Sequence, residues 1–478
     1  MIEAPDKRPL CVDLDRTLIR SDLLLESVLS LLRRQPWQLV RAPFWRFRGR
    51  AAIERGVALR AEIDASRLPY RTELLAWLRE ERRAGRRLVL VTASEERLAV
   101  AVAKHLGIFD EILASDGRGN LEGPRRAARL RERFGAGGYD YAGSARADLA
   151  SWSGAHEAVL VGASPAVLAR ARECANVVRI VAPRRGGRLG VLLHATRIHQ
   201  CVKNVLVFVP VVGAHRLGEP AEMVRCLLAF LAFSLGASAS YMLNDLVDLE
   251  HDRGHPTKRD RPFAAGTLRL DVAFALIPAF LLASAGVAAS LSTAFVGMLG
   301  LYLATTTAYS FFLKHVMILD VIVLAMLYTI RILAGGVAAG VQVSNWLLIF
   351  SIFFFLSLAF VKRTVELRPL RSATDGGEVA GRGYAAQDLE QVASLGSASG
   401  YIAVVVFSLY VSSSDVARLY RHPEYLWLIC PLLLYWLSRL WLLARRGRLD
   451  SDPVLFAVKD PASYVVGVIA AAILIVAT

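Results

Sequence analysis

Asn244, Asp245, Asp248 and Asp252 lie in one stretch, Asn-Asp-Leu-Val-Asp-Leu-Glu-His-Asp, at the end of a long apolar segment, and Arg253, Lys258, Arg259 and Arg261 follow it directly. Carboxylates are costly where lipid would surround them, so this stretch is predicted to face a polar cavity within the membrane. On a helix, positions i, i+4 and i+8 share a stripe. Asn244, Asp248 and Asp252 are therefore predicted to converge on one divalent ion, with Asp245 on the neighbouring row. Hard oxygen donors of this kind suit Mg2+. Lys258 and Arg261 are then placed to meet phosphate oxygens that the metal leaves uncovered, Arg offering a bidentate fork. The chemistry expected is capture of a diphosphate. The plainer alternative is a solvated charged loop closing a membrane helix.

A second group runs from Tyr309 through Lys314 to Asp320 and on to Tyr328, Arg331 and Gly335. Lys314 and Asp320 are candidates for phosphate and metal contact, against the alternatives that Lys314 snorkels at the interface and Asp320 caps the next helix. Upstream, Arg197, His199, Gln200, Lys203 and Asn204 form another basic and amide-bearing group, and Lys203 is expected to reach the same cavity.

The elements that must position these residues are apolar helices. From Val202 onward apolar runs recur, and they predict about nine spans, some needing their polar flanks to reach the roughly 20-residue length required to cross a bilayer. The first, containing Pro210, is the shortest. Connections alternate between a set rich in Lys and Arg (253–269, Lys314, 362–382, 445–459) and a set nearly free of them. The positive-inside rule then places the rich set, the N-terminal domain and the sites on the cytoplasmic side of a bacterial-type inner membrane. The net charge of +15 over 478 residues is accounted for by surface facing anionic lipid and phosphate; no nucleic-acid-binding motif is present. Met1–Arg8 is polar, and no signal peptide is expected there. Five scattered cysteines without CxxC spacing indicate neither a disulfide framework nor a zinc site.

The residues before about Gly190 carry a separate chemistry. Leu10-Cys-Val-Asp13-Leu-Asp15-Arg-Thr17 is a short apolar strand ending in two carboxylates spaced to share a metal, and Leu88-Val-Leu-Val-Thr92 is a second buried strand ending in a hydroxyl.

The region from His194 to the end resembles the UbiA superfamily of intramembrane prenyltransferases, through its NDxxDxxxD motif and the following Lys/Arg-Pro segment. Within it the chain is most similar to the decaprenyl-phosphate phosphoribosyltransferase branch, on RxHQxxKN at Arg197–Asn204, HPxKxxRP at His255–Pro262, YSxxLKxxxxxD at Tyr309–Asp320 and Arg331–Gly335. The N-terminal part resembles the haloacid dehalogenase superfamily, with a phosphoserine-phosphatase-like cadence at Lys104–Asp116. The fold class implied is multidomain: an α/β haloacid dehalogenase-like Rossmannoid domain (1–185, helical cap about 19–85), a basic linker (186–196) and an all-α polytopic membrane bundle (197–478).

The resemblance implies transfer of 5-phosphoribose from phosphoribosyl pyrophosphate to a polyprenyl phosphate. Mg2+ at Asn244, Asp245, Asp248, Asp252 and Asp320 would hold the leaving pyrophosphate, with Lys203, Asn204, Lys258, Arg261, Tyr309, Lys314 and Arg331 on the substrates. In the N-terminal domain Asp13 is implied as nucleophile and Asp15 as general acid/base, Thr92 and Arg126 as phosphate contacts, and Asp13, Asp15 and Asp148 at a second Mg2+. This chain departs from that pattern twice. Arg126 stands where relatives carry Lys, and Ser144 stands at an acidic position, removing one charged ligand. An active N-terminal domain would strip the 5-phosphate from the lipid product, its tethering raising the local concentration. Expected partners are membrane lipids, the two substrates and a homo-oligomer. The competing readings are an aromatic prenyltransferase using a prenyl diphosphate, with a non-catalytic N-terminal domain, and a membrane scaffold or transporter with silent sites. The segment containing Arg382 and Tyr384 is expected either to cover the donor site or to be a solvated connector.

Overall fold

A computed structural model describes residues 8–35, 37, 55–115, 121–182, 187–371, 383–449 and 452–478. It divides into two compact units, one of residues 1–196 with 242–276, the other of residues 197–241 with 277–478.

The first unit is built on a six-stranded parallel sheet of order β3-β2-β1-β4-β5-β6. Its strands are β1 (Leu10–Asp13), β2 (Leu88–Glu95), β3 (Glu111–Ser115), β4 (Asp140–Gly143), β5 (Ala158–Val161) and β6 (Val177–Val181). Near-continuous apolar runs such as Leu10–Val12 and Leu88–Val91 are what a strand covered on both faces requires, and these residues are completely buried. The order reverses beside β1, which pairs with β2 on one side (Leu10 opposite Leu88, Asp13 opposite Val91) and with β4 on the other. In parallel sheets the crevice at such a reversal, beyond the carboxyl ends of the strands, is where ligands bind. Asp13 ends β1 there. The chain then turns sharply through Arg16 (φ +62°) into helix α1 (Leu23–Arg34), whose amino end is capped by Asp22. The predicted cap falls partly on residues 36 and 38–54, which lie outside the described residues, as does Asp116.

The acidic motif belongs to the same unit. Helix α2 (Pro220–Val247) ends one residue before Asp248, and the short helix α3 (Leu249–Gly254) follows.

Among the described residues, seven helices are long and apolar enough to cross a membrane. They are α2, α4 (Leu270–Ala289), α5 (Thr293–Phe311), α6 (Leu319–Ala339), α7 (Asn345–Arg371), α8 (Leu389–Val411) and α9 (Ile429–Arg446, with the turn from Pro423). The other two expected spans are shorter apolar helices, Ile198–Gly213 and Pro461–Ala477. Pro210 limits the first, as a proline inside a helix removes a backbone donor.

Small residues let these helices approach closely, as packing in lipid favours. A methyl group on Gly396 would lie 2.4 Å from Phe360 and Trp441. One on Gly335 of α6 would lie 2.0 Å from the Val207 carbonyl oxygen, so α6 and the 198–208 segment touch backbone to backbone.

Candidate functional site

In the first unit, Asp13 and Asp15, at the end of β1 and in the turn after it, are held differently. Asp13 accepts from the Thr17 hydroxyl at 2.6 Å and from Arg126 Nη1 at 2.9 Å. Asp15 accepts from the Leu23 amide at the start of α1 at 2.7 Å, and from the hydroxyls of Thr92 at 2.9 Å and Ser94 at 2.8 Å. Thr92 is thus brought to the aspartate pair. Arg126 Nη1 also reaches Asp148 at 2.6 Å and the Tyr141 hydroxyl at 2.5 Å. The guanidinium is the cation shared by Asp13 and Asp148. Asp13, Asp15, Arg126 and Asp148, with Arg16 and Ser94, line a cavity of about 180 Å³. Burial raises the pKa of Asp13 although Arg126 opposes it, and burial with repulsion from Asp22 raises that of Asp15. A raised pKa suits the Asp15 carboxyl to proton donation toward a leaving oxygen.

Asp148, expected among the metal ligands, has both oxygens engaged. Oδ1 meets Arg126 and Tyr141, and Oδ2 accepts from the Ser144 and Ala145 amides at 2.9 Å each. Its role in this geometry is to orient Arg126 and the turn after β4. The Ser144 hydroxyl is buried and has no hydrogen-bond partner. Asp13 and Ser144 are hard oxygen donors and fit Mg2+ in kind, with one negative charge fewer than an acid at position 144 would supply.

In the acidic motif the single stripe expected from spacing divides in two. Asn244 donates to Asp248 at 3.0 Å. Asp245 and Asp252, both buried, share Arg261, whose Nη1 lies 3.2 Å from the first and 2.6 Å from the second. Asp245 and Asp252 are seven residues apart, two helical turns, which also places them on one face. Asp252 therefore joins Asp245 rather than Asn244 and Asp248, because a buried carboxylate pair needs a cation and Arg261 supplies it. Oxygen donors again fit Mg2+. Asn244 and Asp248 are the half-buried pair. Lys258 is half-buried in the adjoining turn.

In the second unit, Lys203 is buried and pairs with Asp452, its ammonium 5.9 Å from the centre of the Tyr328 ring. Asp452 is pushed up by burial, but the Lys203 and Lys362 ammoniums outweigh this and hold it below the usual carboxylate range. Asn204 accepts from Arg331 Nε at 2.8 Å, and Arg331 also donates to the Tyr302 hydroxyl at 3.0 Å. The close seam at Gly335 brings Arg331 and Asn204 together. Lys314 is buried in a short turn after α5.

Asp320, offered for metal contact by the sequence, is fully buried and already met by Arg363 Nε at 2.5 Å and the Tyr384 hydroxyl at 2.6 Å. Arg363 further donates to the Tyr309 hydroxyl at 3.0 Å. The geometry makes Asp320 the centre of an internal ion pair. Tyr384 is buried, not part of a solvated connector; Arg382 lies outside the described residues. Arg363 and Asp452 were not singled out from sequence. Their signal was charge in or beside an apolar segment, which Lys203 and Asp320 also carried.

An apolar helical bundle, an acidic oxygen-donor motif and a Rossmann-like domain ending in an aspartate pair define an integral membrane enzyme of the prenyltransferase class with a hydrolase-like extension. Residues 205–459 match the UbiA prenyltransferase family, and the chain belongs to that family. Residues 10–148 match haloacid dehalogenase-like hydrolases. The chain is 39% identical over 475 residues to the uncharacterized protein y4nM of Sinorhizobium fredii, covering 98% of this chain and 91% of that one. It is 39% identical over 278 residues to nodulation protein NoeC of Azorhizobium caulinodans (57% and 88%). It is 37% identical over 180 residues to decaprenyl-phosphate phosphoribosyltransferase of Corynebacterium glutamicum, covering 37% of this chain and 54% of that protein.

Proposed function

We propose that the chain transfers a 5-phosphoribosyl group from phosphoribosyl pyrophosphate to a polyprenyl phosphate on the cytoplasmic face of the membrane. The observation that carries this reading is Arg261 held between two buried carboxylates. A diphosphate competes for that guanidinium while a divalent cation takes its place beside the acids, so donor and cation are expected to bind together. Asn244, Asp245, Asp248 and Asp252 would hold Mg2+, which would supply charge neutralisation for the departing pyrophosphate.

In the reaction a lipid phosphate oxygen forms a bond to the anomeric carbon as the bond from that carbon to pyrophosphate breaks. The nucleophile is already anionic, so no general base is needed. Catalysis consists of alignment and charge compensation, with Lys258 and Arg261 meeting the donor's phosphate oxygens. Resemblance over 180 residues to decaprenyl-phosphate phosphoribosyltransferases supports this donor and acceptor over a prenyl diphosphate and an aromatic ring.

The N-terminal domain then removes the 5-phosphate. Asp13 attacks the phosphorus, and Asp15, whose pKa burial raises, protonates the ribose oxygen as it leaves. Water releases phosphate from Asp13.

Purified protein in detergent, given Mg2+, polyprenyl phosphate and labelled phosphoribosyl pyrophosphate, is expected to yield polyprenyl-phosphoryl ribose, identified by mass. Asp248→Ala is expected to abolish it, and Asp13→Asn to leave the 5-phosphate on the product. Consumption of a prenyl diphosphate with an aromatic acceptor, and none of phosphoribosyl pyrophosphate, would overturn the transferase reading. Equal phosphate release from Asp13→Asn would overturn the second step.

A further inference from the structure

Arg253 follows Asp252 directly and, at about 100° per helical residue, points to another side of α3. Its guanidinium is received there by α1. Nη2 lies 2.6 Å from Glu26 Oε1 and Nη1 lies 3.0 Å from Oε2, a two-point fork in which both side chains are only 6% exposed. The remaining nitrogen, Nε, donates to the Ala264 carbonyl at 3.2 Å. Arg253 thus joins both ends of the 253–264 loop, which contains Lys258 and Arg261, to one carboxylate on α1.

Further contacts follow the same edge. Arg33, in the last turn of α1, pairs with Glu250. Arg20 Nη1 reaches the Ala265 carbonyl at 3.4 Å. At Gly266 (φ +63°) a methyl group would lie 2.6 Å from Arg20 Cβ, so only glycine permits this approach. Helix α3 spans six residues, too few to hold its own shape in water. Its orientation, and with it the direction of Asp252 and Arg261, must come from outside.

We propose that Glu26 is a positioning residue for the diphosphate motif: through Arg253 it fixes α3 and the following loop so that Asp252 and Arg261 are preset for the donor. The N-terminal domain therefore serves the transferase independently of any hydrolysis of its own. This rests on the transfer reaction proposed above for its kinetic readout, though not for its structural one. The fork matters because a flexible or single-point contact would leave α3 free to rotate about its axis.

The test uses full-length protein. Glu26→Gln and Arg253→Gln are each expected to raise the KM for phosphoribosyl pyrophosphate and the Mg2+ concentration for half-maximal rate roughly tenfold, with kcat at saturation changed less than about twofold. The double variant is expected to be no worse than either single one, since both remove the same interaction. Amide exchange across residues 249–266 is expected to rise in each. Glu62→Gln, removing the exposed Arg34–Glu62 pair, is the control and is expected to match wild type.

Glu26→Gln indistinguishable from the control in KM, Mg2+ dependence and exchange would overturn the proposal. So would fully additive losses, or a fall in kcat at unchanged KM. Should wild type transfer no phosphoribose while exchange at 249–266 still rises in Glu26→Gln, the transfer reading fails and the positioning role stands.

Discussion

The Tyr384 hydroxyl donates to Asp320 Oδ1 at 2.6 Å and accepts from the Ile318 amide at 2.9 Å. Ile318 has φ +68°, a conformation a β-branched residue adopts only when its surroundings enforce it. One phenol therefore closes the turn between Lys314 and α6 and completes the shell of a fully buried carboxylate.

Tyr384→Phe keeps the ring and removes both bonds. A hydrogen bond to a charged group contributes roughly 1.5–3 kcal/mol, so a loss of about 2–3 kcal/mol is expected. Thermal unfolding in detergent should show it, together with a reduced transfer rate as the turn carrying Lys314 loosens. An unchanged Tm would mean that the ring alone holds the turn.

Asp15→Asn should stabilise the first unit at neutral pH. Burial raises the Asp15 pKa above its ordinary 3.8, and Asp22 adds to the rise. A carboxyl whose folded pKa exceeds its unfolded one favours folding most below the unfolded value. That contribution is lost as pH rises through the folded pKa. Asparagine stays neutral throughout and can still accept the Leu23 amide. At about pH 7.5 the variant is expected to unfold at a higher temperature than wild type, the gap closing below about pH 4, while phosphate release is lost. A gap that widened on acidification would contradict the assigned direction.

Ser144→Asp replaces a buried hydroxyl lacking a partner with an anionic ligand. Added ligand charge tightens divalent-ion binding, and a gain of at least about tenfold in apparent Mg2+ affinity for phosphate release is expected, worth roughly 1.4 kcal/mol. Mg2+ titration of phosphate release measures it. Weaker binding would place residue 144 outside the metal's shell.

Gly335→Ala introduces a methyl where the Val207 carbonyl leaves 2.0 Å. Overpacking of this kind costs about 1–3 kcal/mol, and here backbone must move. A lowered Tm in detergent is expected. Loss of the Arg331–Asn204 bond should raise the KM for substrate more than Gly336→Ala does, since the atoms nearest Gly336 belong to Val343 and Val341.

Much of the architecture was legible because it is written in local pattern. Fully apolar strands ending in Asp13 and Thr92 implied a buried parallel sheet with its chemistry at one edge, and apolar length implied membrane helices. What stayed hidden depends on partners distant in sequence. The i+4 rule placed Asp252 with Asn244 and Asp248, but the helix permits i+7 equally well, and only Arg261 selects Asp245. Asp320 read as a metal ligand because a lone buried carboxylate needs a cation; Arg363, on another helix, is that cation. Glu26 in α1 had no local mark at all, being one acidic residue in an amphipathic helix.

The backbone seam between Gly335 and Val207 has a bearing on depth. With no methyl's width between the two backbone segments, the entry segment cannot slide along α6 without carrying Lys203 and Asn204 with it. The seam works as a bolt, fixing at one level the ammonium and the amide that neighbour it, whatever the thickness of the lipid outside.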